Sequence, residues 1–464
     1  MHSIKPQFFQ RTAADSINKK ILRAALIIGT LTLIARAGTV LKEMIVAYSF
    51  GRGDALDAFL MAFLLPSFVV TLVSGVVGSA LIPVFIEVDQ KQGREAAEKL
   101  LSSTCLISAA TLAASALILA LFAPYYLPFL AHGFSPEKLH LTANLLYILL
   151  PWIVLSGIAQ IVTYILNAGE RFALPALVPL TTPLLVIALV LAAGQSRSAL
   201  TLATGSSLGS VIEVGLLLAM LKAHGTRLRW GWFGFSEELH IVLKQTGPLV
   251  AGGILMVSAP IVGQSLAAML PSGSVSALAY ANRLVNGITA LGAVALSTAT
   301  LPYFSRMAAE SDWAACWHTL KRYSTLLLVT TVPFTLAFIA FSRPLVRVLY
   351  QRGAFTPADA DLVARLQSLL AIQIPFIMMC ALLARFLTAI RRNHLLMYGS
   401  AINLMANLGL NFMLMKIWGL PGIAISTSLM QVLSFFFFAA CTVWLLGRNR
   451  SSLLNRVSAH EARN

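Results

Sequence analysis

Arg36, Lys42 and Glu43 lie within ALIIGTLTLIARAGTVLKEMIVAYSF, residues 25–50, a stretch otherwise apolar enough to cross a membrane. A charge near the bilayer centre costs roughly 2.5–3.5 kcal/mol on insertion scales, so such groups face a bundle interior or a hydrated cavity rather than lipid. The i, i+7 spacing puts Arg36 and Glu43 on one helix face, with Lys42 roughly 120° around it. A net cationic wall of this kind suits an anionic cargo, with Glu43 pairing a cation or gating. An ion-pair network that only locks helices together is the competing expectation. Gly38, between the charges, permits bending or close packing.

A second group sits in YANRLVNGITALG, where Asn282 and Asn286 flank Arg283 at i, i+4 spacing. A guanidinium grips phosphate bidentately, and amides beside it add donors for phosphate or sugar hydroxyls. The same side chains could instead be interhelical glue. Asp57, in GRGDALDAFL, is either a gating charge or a helix cap. Glu213 and Arg385 are lone charges within spans, open between cavity lining and structural pairing. Asn403, Asn407 and Asn411 form one polar stripe, a cavity lining or a helix seam.

These groups need long helices to carry them. The 464 residues are 58% hydrophobic and 11% charged, against about 25% charged in an ordinary soluble domain. Apolar windows recur along the chain and predict an all-α polytopic membrane protein of about twelve transmembrane helices. They cover 24–50, 56–87, 100–122, 141–168, 173–193 and 199–221, then 241–270, 275–306, 319–341, 362–390, 395–417 and 420–446. The expected plan is a cytoplasmic segment 1–23, a helix bundle over 24–221, a basic amphipathic linker over 222–240, a second bundle over 241–446 and a polar tail over 447–464. Each bundle would hold about six helices.

The formal net charge of +16 is topological information. Basic residues concentrate on one side: Lys5, Arg11, Lys19, Lys20 and Arg23, then Lys91, Arg94 and Lys99, then Arg227, Arg229 and Lys244, then Arg391 and Arg392. This bias predicts that both termini are cytoplasmic. The opposite loop with Arg343, Arg347 and Arg352 runs against the trend. No basic stripe carries interleaved aromatics, so nucleic acid is not an expected partner. Residues 1–23 are too polar, and the apolar stretch after them too long and too charged, for a cleavable signal. The four cysteines and eight histidines show no metal-ligand spacing. No Walker A motif, GxSxG or paired-carboxylate site appears, so neither an enzyme nor a cofactor is expected. Coupling to the membrane potential or to a monovalent cation stays open.

The two halves look duplicated. DAFLMAFLLPSFVVTLVSGVVGSALIPVF, 57–85, aligns without gaps on SALAYANRLVNGITALGAVALSTATLPYF, 276–304, with Pro83 on Pro302 and Phe85 on Phe304. LNAGERFALPALVPL, from Leu166, aligns on LTAIRRNHLLMYGSA, from Leu387, at nearly the same shift. The matches predict two pseudo-symmetric bundles around a central cavity. Prolines within spans, such as Pro66, Pro83 and Pro302, permit the bending that alternating access needs.

Three motifs carry a family resemblance. ARAGTVLKEMIVAYSFGRGDALDAFLMAFLLPS, GSVSALAYANRL with LSTATLPYFSR, and LVRVLYQRGAFTPADA are similar to the corresponding stretches of the MurJ/MviN lipid II flippases, within the multidrug/oligosaccharidyl-lipid/polysaccharide exporter superfamily. The resemblance covers about 30–450. It implies alternating access, a bacterial inner-membrane location and a cargo of polyprenyl-diphosphate-linked saccharide, with lipid II foremost, for peptidoglycan biosynthesis. The family's cavity cations fall on Arg36, Lys42 and Arg283, the acid after the second cation on Glu43, and the acid of the TDAF-like motif on Asp57. Implied partners are the lipid-linked anionic saccharide, membrane lipids and cell-wall assembly proteins. Two departures stand out: Val70 and Thr71 occupy the place of a usual arginine pair, and about twelve spans replace the usual fourteen. Another lipid-linked glycan, or a scaffold role in glycan assembly, is the alternative expectation.

Overall fold

The computed structural model describes residues 30–31, 33–168, 175–194, 198–226, 228–229 and 231–461, and all regular structure among them is helical. Helix α1 covers 33–50. It is followed by α2 (Asp54–Lys91), α3 (Arg94–Leu130), α4 (Pro136–Ala168), a 3-10 turn at Val178–Leu180, α5 (Thr181–Ala192) and α6 (Ala199–Ala223). The later helices are α7 (Glu237–Val257), α8 (Ala259–Ala267), α9 (Ser274–Ala309), α10 (Trp313–Ala340), α11 (Ser342–Tyr350), α12 (Pro357–Ala371), α13 (Gln373–Ala389), α14 (Asn393–Trp418) and α15 (Leu420–Glu461). Among the described residues, 8 helical stretches are long and apolar enough to span a membrane, and Val178–Ala192 is a shorter apolar helix. The expected windows fall largely on helix wherever they are described, but several helices run well past them: α3 covers Arg94–Leu130 against the expected 100–122, and α15 continues to Glu461, through most of the expected polar tail. Segment 1–23, expected on the cytoplasmic side, lies outside the described residues.

Local chemistry explains the helix boundaries. Ser198 caps α6 by accepting from the Leu200 N–H, and Asp312 caps α10 by accepting from the Ala315 N–H. Thr356 and Asp359 form a reciprocal capping box at the start of α12, with Pro357 in the first turn. Helix α9 starts differently. Its N-cap is Gly273 at φ 81°, without a side-chain cap of its own. The donors there are satisfied from elsewhere in the chain, as described below.

The chain folds into two compact units. Unit 1 comprises Ala62–Ala123 and Ala143–Val250 together with the segment ending at Ser49. Its core gathers Val77, Leu81 and Phe85 from α2, Leu100 and Leu101 from α3, Ile161 and Leu166 from α4, Leu217 and Leu221 from α6, and Leu239 and Val242 from α7. The segment between α6 and α7 is tied down by charge. Arg229 reaches Glu95 at 3.0 Å and Glu98 at 3.2 Å, its N–H donates to Ser102 Oγ, and Arg94 bonds to Thr226.

Unit 2 comprises Ala251–Asn464 with two earlier pieces, Phe50–Met61 and Pro124–Thr142. Its core joins Phe304, Cys316, Leu320, Leu382, Phe386, Leu387 and Leu445. The duplication seen in sequence reappears here as packing. Phe85 and Leu166 share one core, and their aligned partners Phe304 and Leu387 share the other. Helix α3 begins at Arg94 and α10 at Trp313, the same shift that carries Pro83 onto Pro302. Ala97 and Leu101 are buried on α3, as their counterparts Cys316 and Leu320 are on α10. Each repeat therefore buries the same face of the same helix.

Candidate functional site

In unit 1, α1 carries the first charge group. Glu43 is buried and pairs with Lys42, Nζ to Oε1 at 2.9 Å. Lys42 is half-buried, whereas Arg36 is exposed. Arg36 and Glu43 lie seven residues apart on one continuous helix, and the cation that Glu43 pairs with is its neighbour Lys42. Gly38 packs directly against the 3-10 turn: a Cβ there would lie 2.2 Å from Leu180 Cδ2. A larger residue would force the Leu180 side chain into another rotamer.

In unit 2, Arg283 is exposed on α9 between Asn282 and Asn286. Asn282 Nδ2 donates to the Leu278 carbonyl at 3.1 Å, so one of its two donors is spent on its own helix. Asn286 is exposed. These side chains sit about 13–18 Å along α9 from its start, by the helical rise.

The start of α9 holds a cluster of a different kind. Asp57, 1% exposed, accepts from the Gly273 N–H at 2.7 Å and the Ser276 N–H at 2.8 Å, and pairs with Lys138 Nζ at 3.0 Å. Lys138 is itself buried, reaches Asp54 at 2.6 Å, and lies 3.9 Å above the Phe134 ring centroid. Asp57 thus caps α9 from outside, placing its charge against the positive helix end. It aligns with Ser276 in the internal repeat, so the two equivalent positions are hydrogen-bonded to each other. Arg52 adds a second tie to Asp359 at 2.8 Å, joining it to the capping box of α12. Sequence spacing singled out Asp57 but missed Lys138, Arg52 and Asp359, whose partners are far along the chain.

The three motifs noted in sequence converge around this cluster. Tyr280 of YANRL stacks near Tyr350 and Phe355 of LYQRGAF, with ring centroids 4.9 and 5.4 Å apart. Gly51 of FGRGD, at φ 57°, approaches the Ala354 carbonyl so closely that a Cβ would lie 2.4 Å from its oxygen. Comparison with known proteins then places the chain. Residues 46–453 match the sequence profile of the family described as lipid II flippase MurJ. The chain belongs to the MurJ lipid II flippase family.

Members with similar sequences include probable lipid II flippases of Synechocystis, 27% identical over 94% of this chain and 83% of the relative, and of Vibrio cholerae, 26% identical over 90% and 82%. A solved MurJ lipid II flippase in an inward closed conformation shares the fold, with TM-score 0.77 at 22% identity over 89% of this chain and 86% of that one. An inward-facing multidrug MATE transporter gives TM-score 0.72 at 12% identity over 92% and 99%. MurJ membership and the helices make this a multi-pass protein of the bacterial inner membrane with the all-α architecture of a transporter.

The remaining candidates resolve locally. Asn407 and Asn411 are buried and hydrogen-bonded to each other at 2.7 Å, as in a helix seam. Glu213 accepts from Thr182 Oγ1 at 3.2 Å between α5 and α6. Val70 is buried beside Leu112, Ala116 and Ile153, and Thr71 donates its hydroxyl to the Ser67 carbonyl. Arg343 and Arg347 both grip Asp361, Arg343 at 2.6 Å and Arg347 at 3.3 Å. The hydrogen bonds that Arg343 donates to the Asp361 carboxylate hold its guanidinium pKa above its ordinary value.

Proposed function

We propose that this chain moves lipid II from the cytoplasmic to the outer leaflet by alternating access, with both termini in the cytoplasm. The observation that carries the reading is the match of residues 46–453 to the lipid II flippase family, joined to the cations Arg36 and Lys42 on α1 and Arg283 on α9. These three groups bind the diphosphate. Asn282 and Asn286 hydrogen-bond sugar or phosphate oxygens, Glu43 holds Lys42 in place, and the lipid tail stays in the bilayer. An inside-negative potential favours outward passage of an anion by roughly 2.3 kcal/mol per charge per 100 mV. A monovalent cation is a second candidate source of coupling. Cell-wall assembly proteins are the expected consumers of the cargo.

A second reading, export of another polyprenyl-diphosphate-linked glycan, draws on Val70 and Thr71. Neither offers charge: Val70 is buried and the Thr71 hydroxyl is used within its own helix. The test is complementation of cells depleted of their own lipid II flippase. The wild-type chain restores growth, whereas Arg36→Ala and Arg283→Ala, present at wild-type level, do not. Rescue by both variants would contradict the cation assignment. Failure of a well-expressed wild-type chain would move the cargo to another glycan.

A further inference from the structure

We propose that the groove between the ends of α9 and α10 is a binding site for the headgroup of an anionic phospholipid. A cavity of about 400 Å³ opens there within unit 2, and its polar lining includes Arg322, His318, Thr319, Tyr303 and Tyr323. Phe304, buried against Phe386, forms its floor. Arg322 and His318 are exposed, and neither has an ion pair among the described residues. Lys321 and Arg306 flank the groove; Lys321 is exposed as well.

The internal repeat shows why this groove lacks a protein cover. The equivalent surface of unit 1 lies between the end of α2 and the start of α3. There Leu239 and Val242, at the start of α7, are buried in the same cluster as Phe85 and Leu100. Arg229 and Thr226 fasten the preceding segment onto Glu95, Glu98, Ser102 and Arg94. Ser103 and Thr104 are consequently buried, while their counterparts Arg322 and Tyr323 are exposed and half-buried. The acids that hold the cover in unit 1 have no equivalents in unit 2: Glu95 corresponds to Ala314 and Glu98 to Trp317. His318 corresponds to Lys99, so both surfaces carry a basic residue, but only in unit 1 do neighbouring acids fasten a cover.

Charge and position select the occupant. Only 11% of the most apolar window of α10 is buried within the protein, which leaves apolar surface on this helix for acyl chains. Trp313, Trp317, Tyr303 and Tyr323 mark the interfacial level, where indole and phenol groups settle beside headgroups. Basic pockets between helices on the cytoplasmic side attract anionic headgroups. A phosphodiester would accept from the guanidinium and hydroxyls while its acyl chains lie along α10. The chain's own tail is charge-mismatched, since 447–464 carries Arg448, Arg450, Arg456 and Arg463 against Glu461.

The assignment to the cytoplasmic leaflet rests on the orientation proposed above; the binding chemistry does not. The test is native mass spectrometry of the full chain in detergent with phosphatidylglycerol or phosphatidylcholine added. The wild type retains phosphatidylglycerol preferentially, and Arg322→Glu and His318→Ala with Arg322→Ala lower retention about tenfold while melting normally. Equal retention of the two lipids by the wild type, or wild-type retention by both variants, overturns the proposal. Complete displacement of phosphatidylglycerol by inorganic phosphate also overturns it, leaving only an anion site. Labelling of His318→Cys by an impermeant maleimide from outside the cell would refute the leaflet and the orientation, but not the binding.

Discussion

Two charged regions of this molecule use the same residue types in opposite ways. Around the start of α9, Asp57 and Lys138 are buried, paired and bonded to backbone donors. Within the spans, Arg36 and Arg283 are exposed. In the first region every charge is answered by the protein itself, so its net effect is to hold a helix start in place. In the second, Arg36 and Arg283 reach the protein surface, and we propose that the cargo meets them there. Burial, rather than the presence of charge, distinguishes Asp57 and Lys138 from Arg36 and Arg283.

The largest effect of this contrast is expected at Asp57. Asp57→Ala leaves Lys138 with Asp54 as its remaining acidic partner and takes the acceptor from the Gly273 and Ser276 N–H donors, so it should cost about 3–5 kcal/mol of stability. Thermal melting in detergent would read this, and a wild-type melting curve would erase the distinction between the regions. Arg283→Ala is the converse. It should melt as the wild type but lose charge-assisted bonds worth about 1.5–3 kcal/mol, or at least tenfold in cargo affinity.

Smaller changes sharpen the picture of the cluster. Gly273→Ala forces a side chain at φ 81°, with its Cβ 2.7 Å from Arg52 Cγ and 3.0 Å from the Arg52 carbonyl oxygen. That left-handed conformation costs about 1–2 kcal/mol for a non-glycine residue, visible as a lowered melting temperature. Arg52→Ala should cost about 1 kcal/mol, and a double-mutant cycle with Asp359→Ala should show coupling of similar size. Arg343→Ala breaks a solvent-exposed pair and should leave the melting temperature close to that of the wild type.

Much of the fold was legible in sequence because the bilayer sets helix length and demands internally bonded backbone. The apolar windows therefore fell on helices, and the repeat was visible because both copies bury the same positions, Phe85 with Leu166 and Phe304 with Leu387. What stayed hidden depends on long-range contact. Nothing in the spacing ties Asp57 to Lys138 or Arg52 to Asp359, which lie 81 and 307 residues apart. The short helix α11 was read as an anomalous basic loop, and its arginines are answered by Asp361 on the next helix. The break between α7 and α8 falls at Ser258, just before Pro260, inside one apolar window that hydropathy alone cannot divide.

The central claim is that the cations within the spans handle an anionic lipid-linked cargo. The most direct test is the amount of lipid II exposed on the outer face of cells whose sole flippase is this chain, with expression matched between variants. Normal exposure is predicted for the wild type and for Arg343→Ala, and loss of exposure for Arg36→Ala and Arg283→Ala despite unchanged melting. Undiminished exposure in both of the latter variants would contradict the claim.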